Sequence, residues 1–156
     1  MGFLTYQEEI GLLLMQTQEL STKDVVKKAR EYLGVPFLPS GRSKNGLDCT
    51  GLPAVVYAEL GLTNYDIKRY APTPQKDTFY IQLSKCPDIV RVFDVTDLQD
   101  GDLIIMALPS YPCHIGIKTD IGMIHSYNKI GKVVEHRLNK TWKKSIRFVF
   151  RHKRFA

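Results

Sequence analysis

Cys49 stands in the run Gly46-Leu47-Asp48-Cys49-Thr50-Gly51, and an apolar stretch from Leu52 to Leu60 follows at once. Turn-forming residues leading into such a stretch predict a loop that opens a helix at the thiol. Helix N-termini offer unpaired amide donors and partial positive charge, both of which favour an anion. His114 lies 65 residues further on and His125 another 11, each in a short β-rich run. A free thiol has a pKa of about 8.5, so a nucleophilic cysteine needs assistance at neutral pH. An imidazolium at His114 would supply a full charge and ionise the sulfur. His125, on the neighbouring strand of a hairpin, would hydrogen-bond that ring and fix its tautomer. Backbone amides near Cys49 would complete an oxyanion site. This set of groups can perform covalent acyl transfer.

The other candidates lack that setting. A lone cysteine is more often a small buried hydrophobe than a nucleophile, and Cys86 and Cys113 read as structural. Cys113 adjoins His114, but neighbouring strand residues point to opposite faces. His136 and His152 have no partner pattern and read as exposed.

The elements that would position these groups fall into two halves. Thr5 with Glu8 is a capping-box signature for a helix over Tyr6–Glu19. Ser21 with Asp24 caps a second, Thr22–Leu33, ended by Gly34, with Val25, Val26, Ala29, Tyr32 and Leu33 as its apolar face. Residues 35–48 carry Pro36, Pro39, Gly41 and Gly46 and read as a loop. The third helix starts near Cys49 and ends at Gly61, with Pro53 close to its start, where a missing amide is tolerated. Residues 62–98 are hard to read: Pro72 and Pro74 break them, and Thr78–Ser84 is a short helix. From Gly101 the texture is strand-like over Leu103–Met106, His114–Lys118, Met123–Tyr127, Lys132–Arg137 and Ile146–Arg151, with hairpin loops at 120–122 and 128–131. Helices followed by strands predict an α+β domain on an antiparallel sheet of about five strands. Residues 1–20 read as a helical extension and 21–156 as the domain proper.

The bulk numbers bound the rest. The 156 residues suit one domain, and 44% hydrophobic with 24% charged content is ordinary for a globular chain. Three irregularly spaced cysteines make neither a disulfide framework nor a zinc pair, so a reduced compartment is expected. The net charge of +6 is uneven: seven basic residues and no acid follow Asn139, leaving about −1 for residues 1–139. Lys140, Lys143, Lys144, Arg147, Arg151, Lys153 and Arg154 could form a basic face for an anionic polymer, although a charge-guarded strand edge is the simpler reading. No run approaches the ~18 apolar residues of a membrane span. Glu8 and Glu9 precede the apolar run at Ile10–Met15, a poor match to a secretion signal. Synthesis in the cytoplasm without classical export is expected.

Six blocks follow one another in order: Tyr32-Leu33-Gly34-Val35-Pro36-Phe37, Ser40-Gly41-Arg42-Ser43, the Cys49 run, Gly101-Asp102-Leu103, His114-Ile115-Gly116-Ile117 and Met123-Ile124-His125-Ser126. Together they resemble the NlpC-type cell-wall cysteine peptidases. The resemblance implies a papain-like fold and hydrolysis of amide bonds in peptidoglycan stem peptides, typically beside D-glutamate, with no metal or other cofactor. It implies Cys49 as nucleophile, His114 as base and acid, and His125 as its orienting group. It places Asp48, Thr50, Phe37, Ser40 and Arg42 at the substrate-binding side. Phe37 stands where the family has Tyr, Thr50 where it has Ser, and Ser40 where it has the first Gly of a loop. Stand-alone chains of this type suggest a phage or prophage setting and delivery to the wall by a non-classical route. Two other readings compete: an amidase or acyltransferase on a non-wall substrate, and a weakly active or inactive phage-tail-type assembly module. The sequence leaves the oligomeric state open.

Overall fold

A computed structural model describes residues 2–16, 19–67, 77–109 and 111–156. The first half is helical and loop-rich: α1 Tyr6–Gln16, α2 Thr22–Arg30, β1 Arg42–Ser43, β2 Gly46–Leu47, α3 Gly51–Glu59 and α4 Thr78–Leu83. The second half is a run of strands: β3 Ile89–Val92, β4 Leu103–Leu108, β5 Tyr111–Lys118, β6 Met123–Tyr127, β7 Lys132–His136, then α5 Lys140–Ser145 and β8 Ile146–His152. Local signals account for the helix starts. Glu8 accepts the Thr5 amide at 2.7 Å while Thr5 Oγ1 accepts the Glu8 amide at 3.2 Å, and Asp24 accepts the Ser21 amide at 2.7 Å, as capping boxes require.

Among the described residues six strands form one antiparallel sheet in the order β3-β8-β4-β5-β6-β7. This sheet has one more strand than the sequence suggested, and the loop before Cys49 carries a further short pair, β1 with β2. The addition to the six-stranded sheet is β3, from the stretch that was hard to read, and it pairs with β8 along Ile89–Val92. Pro72 and Pro74 lie outside the described residues.

Alternation along the strands gives the sheet two different faces. Leu103, Ile105, Cys113, Ile115, Ile117 and Ile124 face α2, α3 and α4 and form the main core with Val25, Ala29, Leu52, Val56 and Phe79. Ile104, Met106, Met123 and Val149 face the other way and are covered by Leu138 and by Trp142 of α5. The helix α5 escaped the sequence reading because its lysines suggested a surface run. Asn139 caps it by accepting the Trp142 amide at 3.0 Å.

Two expectations about the C-terminal half need correction. Arg151 is not part of a basic face: it is buried, and its guanidinium grips Asp102 with two 2.9 Å bonds, tying β8 to the start of β4. Lys140, Lys143, Lys144 and Arg147 are exposed. His152 is not exposed either: it is buried and hydrogen-bonded to the Leu62 carbonyl at 2.8 Å. No helix among the described residues is long and apolar enough to cross a membrane.

Candidate active site

Asp48 builds the turn that presents Cys49. Its carboxylate is fully buried. It accepts the Ser40 amide at 2.7 Å, the Gly51 amide at 2.8 Å, the Thr50 hydroxyl at 3.0 Å and an Arg42 N–H at 2.8 Å. Arg42 in turn donates to Asp66 at 2.9 and 3.1 Å, to Thr50 Oγ1 at 3.0 Å, and to the carbonyls of Gly41 and Ile67 at 2.7 and 2.8 Å. A buried carboxylate is tolerated only with such a set of donors. The position of Gly51 is equally constrained: a Cβ there would lie 2.3 Å from the Gly41 carbonyl oxygen. Ser40 adopts φ 59°, the left-handed region, which explains why a glycine suits this place in the loop. Phe37 is half-buried and donates its amide to Gly131 at 2.8 Å, pinning the loop to the turn between β6 and β7. Arg42, Asp48 and Thr50 therefore hold the turn through their own hydrogen bonds.

The sheet splits where Cys49 enters it. β5 and β6 pair only at Ile117 with Ile124 and Lys118 with Met123, then diverge. β6 meets the chain before Cys49 instead, with Ser126 Oγ donating to the Leu47 carbonyl at 2.6 Å. The Ile115 amide, no longer facing β6, lies near the Cys49 sulfur and favours its anion. That amide is the peptide link to His114, so the thiol stands against the backbone of the histidine.

The imidazoles lie on the other face of the sheet, whereas Cys49 packs with the core on the α3 side. Met106 pairs with His114 across β4 and β5, and His125 with Val134 across β6 and β7, which puts His114, Gly116, Met123, His125 and His136 on the face away from α3. His114 Nε2 lies 2.6 Å from His125 Nδ1, and His125 Nε2 lies 2.8 Å from His136 Nε2. His136 Nδ1 donates to the Arg137 carbonyl at 2.9 Å. Tyr127 stacks on His125 at 5.0 Å between ring centroids, and Trp142 closes edge-on at 5.4 Å. Gly116 makes room for this pairing, since a Cβ there would meet Met123 Sδ at 2.5 Å and His125 Cβ at 3.4 Å.

The structure thus brings His125 to His114 as the hairpin spacing suggested, and it corrects the reading of His136 as an exposed, partnerless residue. His136 is half-buried and bonded to His125. The register of β7 against β6 put it there, and no spacing rule from the sequence alone fixes that register. Cys86 and Cys113 are buried, the latter in the core on the opposite face from His114.

Burial sets the protonation of the site. Desolvation pushes the Cys49 thiol well up, the Asp48 carboxylate adds to this, and the Ile115 amide offsets part of it. His114 is driven down to about 3, first by desolvation and then by the charge of His136. His125 is driven down by the same burial and by both neighbouring rings. Burial thus works against both members of the expected pair, the sulfur anion and the imidazolium. Among the described residues no group of three or more His, Cys, Asp or Glu side chains is arranged to hold a metal ion.

The NlpC/P60 family model matches residues 34–151. No match was found among curated proteins. Among solved structures, an NlpC/P60 family protein from Bacillus cereus is similar with a TM-score of 0.63 at 24% identity, over 85% of this chain and 40% of that one. The NlpC/p60 domain of the peptidoglycan hydrolase SagA is similar with a TM-score of 0.57 at 22% identity, over 83% of this chain and 97% of that domain. The peptidoglycan hydrolase RipB from Mycobacterium tuberculosis is similar with a TM-score of 0.57 at 22% identity, over 83% of this chain and 63% of that one. The chain thus spans less than half the length of the Bacillus cereus protein.

Proposed function

Because this chain belongs to the NlpC/P60 family, we propose that it is a cysteine peptidase that hydrolyses amide bonds in peptidoglycan stem peptides, next to D-glutamate, through Cys49, His114 and His125. One observation carries the reading: the 2.6 Å His114–His125 contact at the split between β5 and β6, with Cys49 buried near the Ile115 amide next in the chain to His114. The similarity to the solved domains of SagA and RipB, both peptidoglycan hydrolases, supports the substrate class.

The chemistry follows from a neutral pair. His114 takes the thiol proton as the sulfur attacks the scissile carbonyl, so charge separates only during the reaction. Backbone amides near Cys49 hold the oxyanion. His114 returns the proton to the leaving amine, and a thioester remains on Cys49. Water, deprotonated by the same imidazole, then releases the acid. Arg42, Asp48, Ser40 and Thr50 act by holding the nucleophile turn, and Phe37 braces it without the hydroxyl that a tyrosine would bring.

Digestion of purified muropeptides by wild type and by Cys49→Ala, followed by mass spectrometry, tests this. Wild type should release fragments cut beside D-glutamate, and the variant should release none. Equal product from the two proteins refutes the reading.

A further inference from the structure

The hydrogen bonds of the three histidines have only one consistent proton order when all rings are neutral. A carbonyl oxygen only accepts, so the 2.9 Å contact to Arg137 puts the proton of His136 on Nδ1. The Nε2 of His136 is then an acceptor, and the proton in the 2.8 Å contact sits on His125 Nε2. The Nδ1 of His125 is an acceptor in its turn, and the proton in the 2.6 Å contact sits on His114 Nε2. The tautomer of His114 is fixed with its lone pair on Nδ1, the nitrogen that must act as base.

We propose that His136 is a positioning residue at the outer end of a three-imidazole relay, which sets the tautomer of His114 and receives the positive charge formed when His114 deprotonates Cys49. The proposal deepens the peptidase reading and rests on it for the identity of the proton donor. The steps balance proton by proton. The S–H bond of Cys49 breaks as N–H forms at His114 Nδ1. The Nε2–H of His114 passes to His125 Nδ1, and the Nε2–H of His125 passes to His136 Nε2. The products are a thiolate and one imidazolium, now on His136.

Burial gives that transfer its direction. His114 and His125 are 2% and 0% exposed, whereas His136 is half-buried at the rim. A cation is less costly where water can reach it. The groups around His136 do not compete for the charge. His125 faces it from β6 with His114 behind, and Trp142 faces it from α5 at 4.8 Å between centroids. Tyr127 stacks on His125 rather than on His136. On β7 itself, Glu135 is turned to Arg30, and Arg137 contributes its carbonyl. Among the described residues no carboxylate oxygen forms an ion pair with His136. The T-shaped contact with Trp142 instead places an aromatic ring beside His125.

Ring 15N NMR of the histidine-labelled full chain tests the relay without any substrate, so its failure is separable from failure of the peptidase reading. At neutral pH, His114 and His125 should both be Nε2–H tautomers and His136 the Nδ1–H tautomer. On acidification one proton should be taken up by the set. His136 should become doubly protonated while His114 and His125 reverse together to Nδ1–H. In His136→Gln the amide oxygen still accepts from His125, so His114 should keep its Nε2–H tautomer, but the joint reversal should be lost. An Nδ1–H tautomer at His114 in the neutral wild type overturns the proposal. So does a titration of His136 that leaves the other two rings unchanged, or a reversal that survives in His136→Gln.

Discussion

Replacing Gly116 with alanine should damage the reaction more than the fold. The added Cβ would lie 2.5 Å from Met123 Sδ and 2.8 Å from its Cγ. Comfortable carbon contacts need about 3.5–4.0 Å, so something must give by about 1 Å. Met123 cannot swing aside freely, because it is fully buried among Ile104, Met106, Ile146 and Val149. Movement of β6 away from β5 is the remaining route, since the two strands share only two ladder pairs. Overpacking of this kind costs about 1–3 kcal/mol. The same movement carries His125 off His114. A 2.6 Å contact displaced by that amount passes the outer limit of a hydrogen bond. Misplacement of a catalytic group by about 1 Å can lower a rate by about 100-fold. Urea unfolding should therefore read a loss of about 1–3 kcal/mol, and muropeptide hydrolysis a fall in kcat of about 100-fold with KM little altered. A variant that keeps wild-type kcat while losing stability would refute the link between this glycine and the histidine pair.

Two further substitutions probe the scaffold. Ser40→Gly should stabilise the chain by about 1 kcal/mol, because a side chain in the left-handed region at φ 59° is strained, and the backbone amide to Asp48 survives. Thermal unfolding should rise by a few degrees, and an unchanged or lower midpoint would contradict the strain. Glu135→Gln addresses pH. The Arg30 hydrogen bond, its largest influence, holds the Glu135 carboxyl below its ordinary value. A group depressed in the folded state contributes stability above its unfolded pKa of about 4.3 and loses it as pH falls through the folded value. The variant should be less stable than wild type at neutral pH, with the gap closing on acidification. A gap that stays constant down to low pH would count against the ion pair.

The sequence made some of this legible and hid the rest for identifiable reasons. Helix starts at Thr5 and Ser21 were readable because a capping box is written in four adjacent residues. The turn at Cys49 was readable because Asp48, Gly51 and the loop before them carry local backbone demands. The hairpin between Lys118 and Met123 was short enough to set His125 against His114. His136 was missed because its partner depends on the register of β7, which is fixed by the packing of the whole sheet. Arg151 was misread as surface charge because its acid, Asp102, lies 49 residues away. The short strand β3 was hidden because its order comes from distant partners: its pairing with the last strand and the packing of Ile89 in the core.

Protonation was the property least accessible from residue types. A cysteine near histidines suggests an ion pair, and in a wet site the suggestion would serve. Here the sulfur and two rings are at most 2% exposed. Desolvation opposes both charges at once, and the shared proton belongs to the coupled set rather than to one residue. A buried neutral base is adequate only if the charge it acquires has somewhere better to reside. The chain of 2.6 and 2.8 Å contacts to a half-buried ring provides that outlet. On this argument the depressed affinity of His114 for protons is compatible with the role of base proposed for it: the ring keeps its lone pair at rest, and its cation need persist only until the next imidazole accepts the proton.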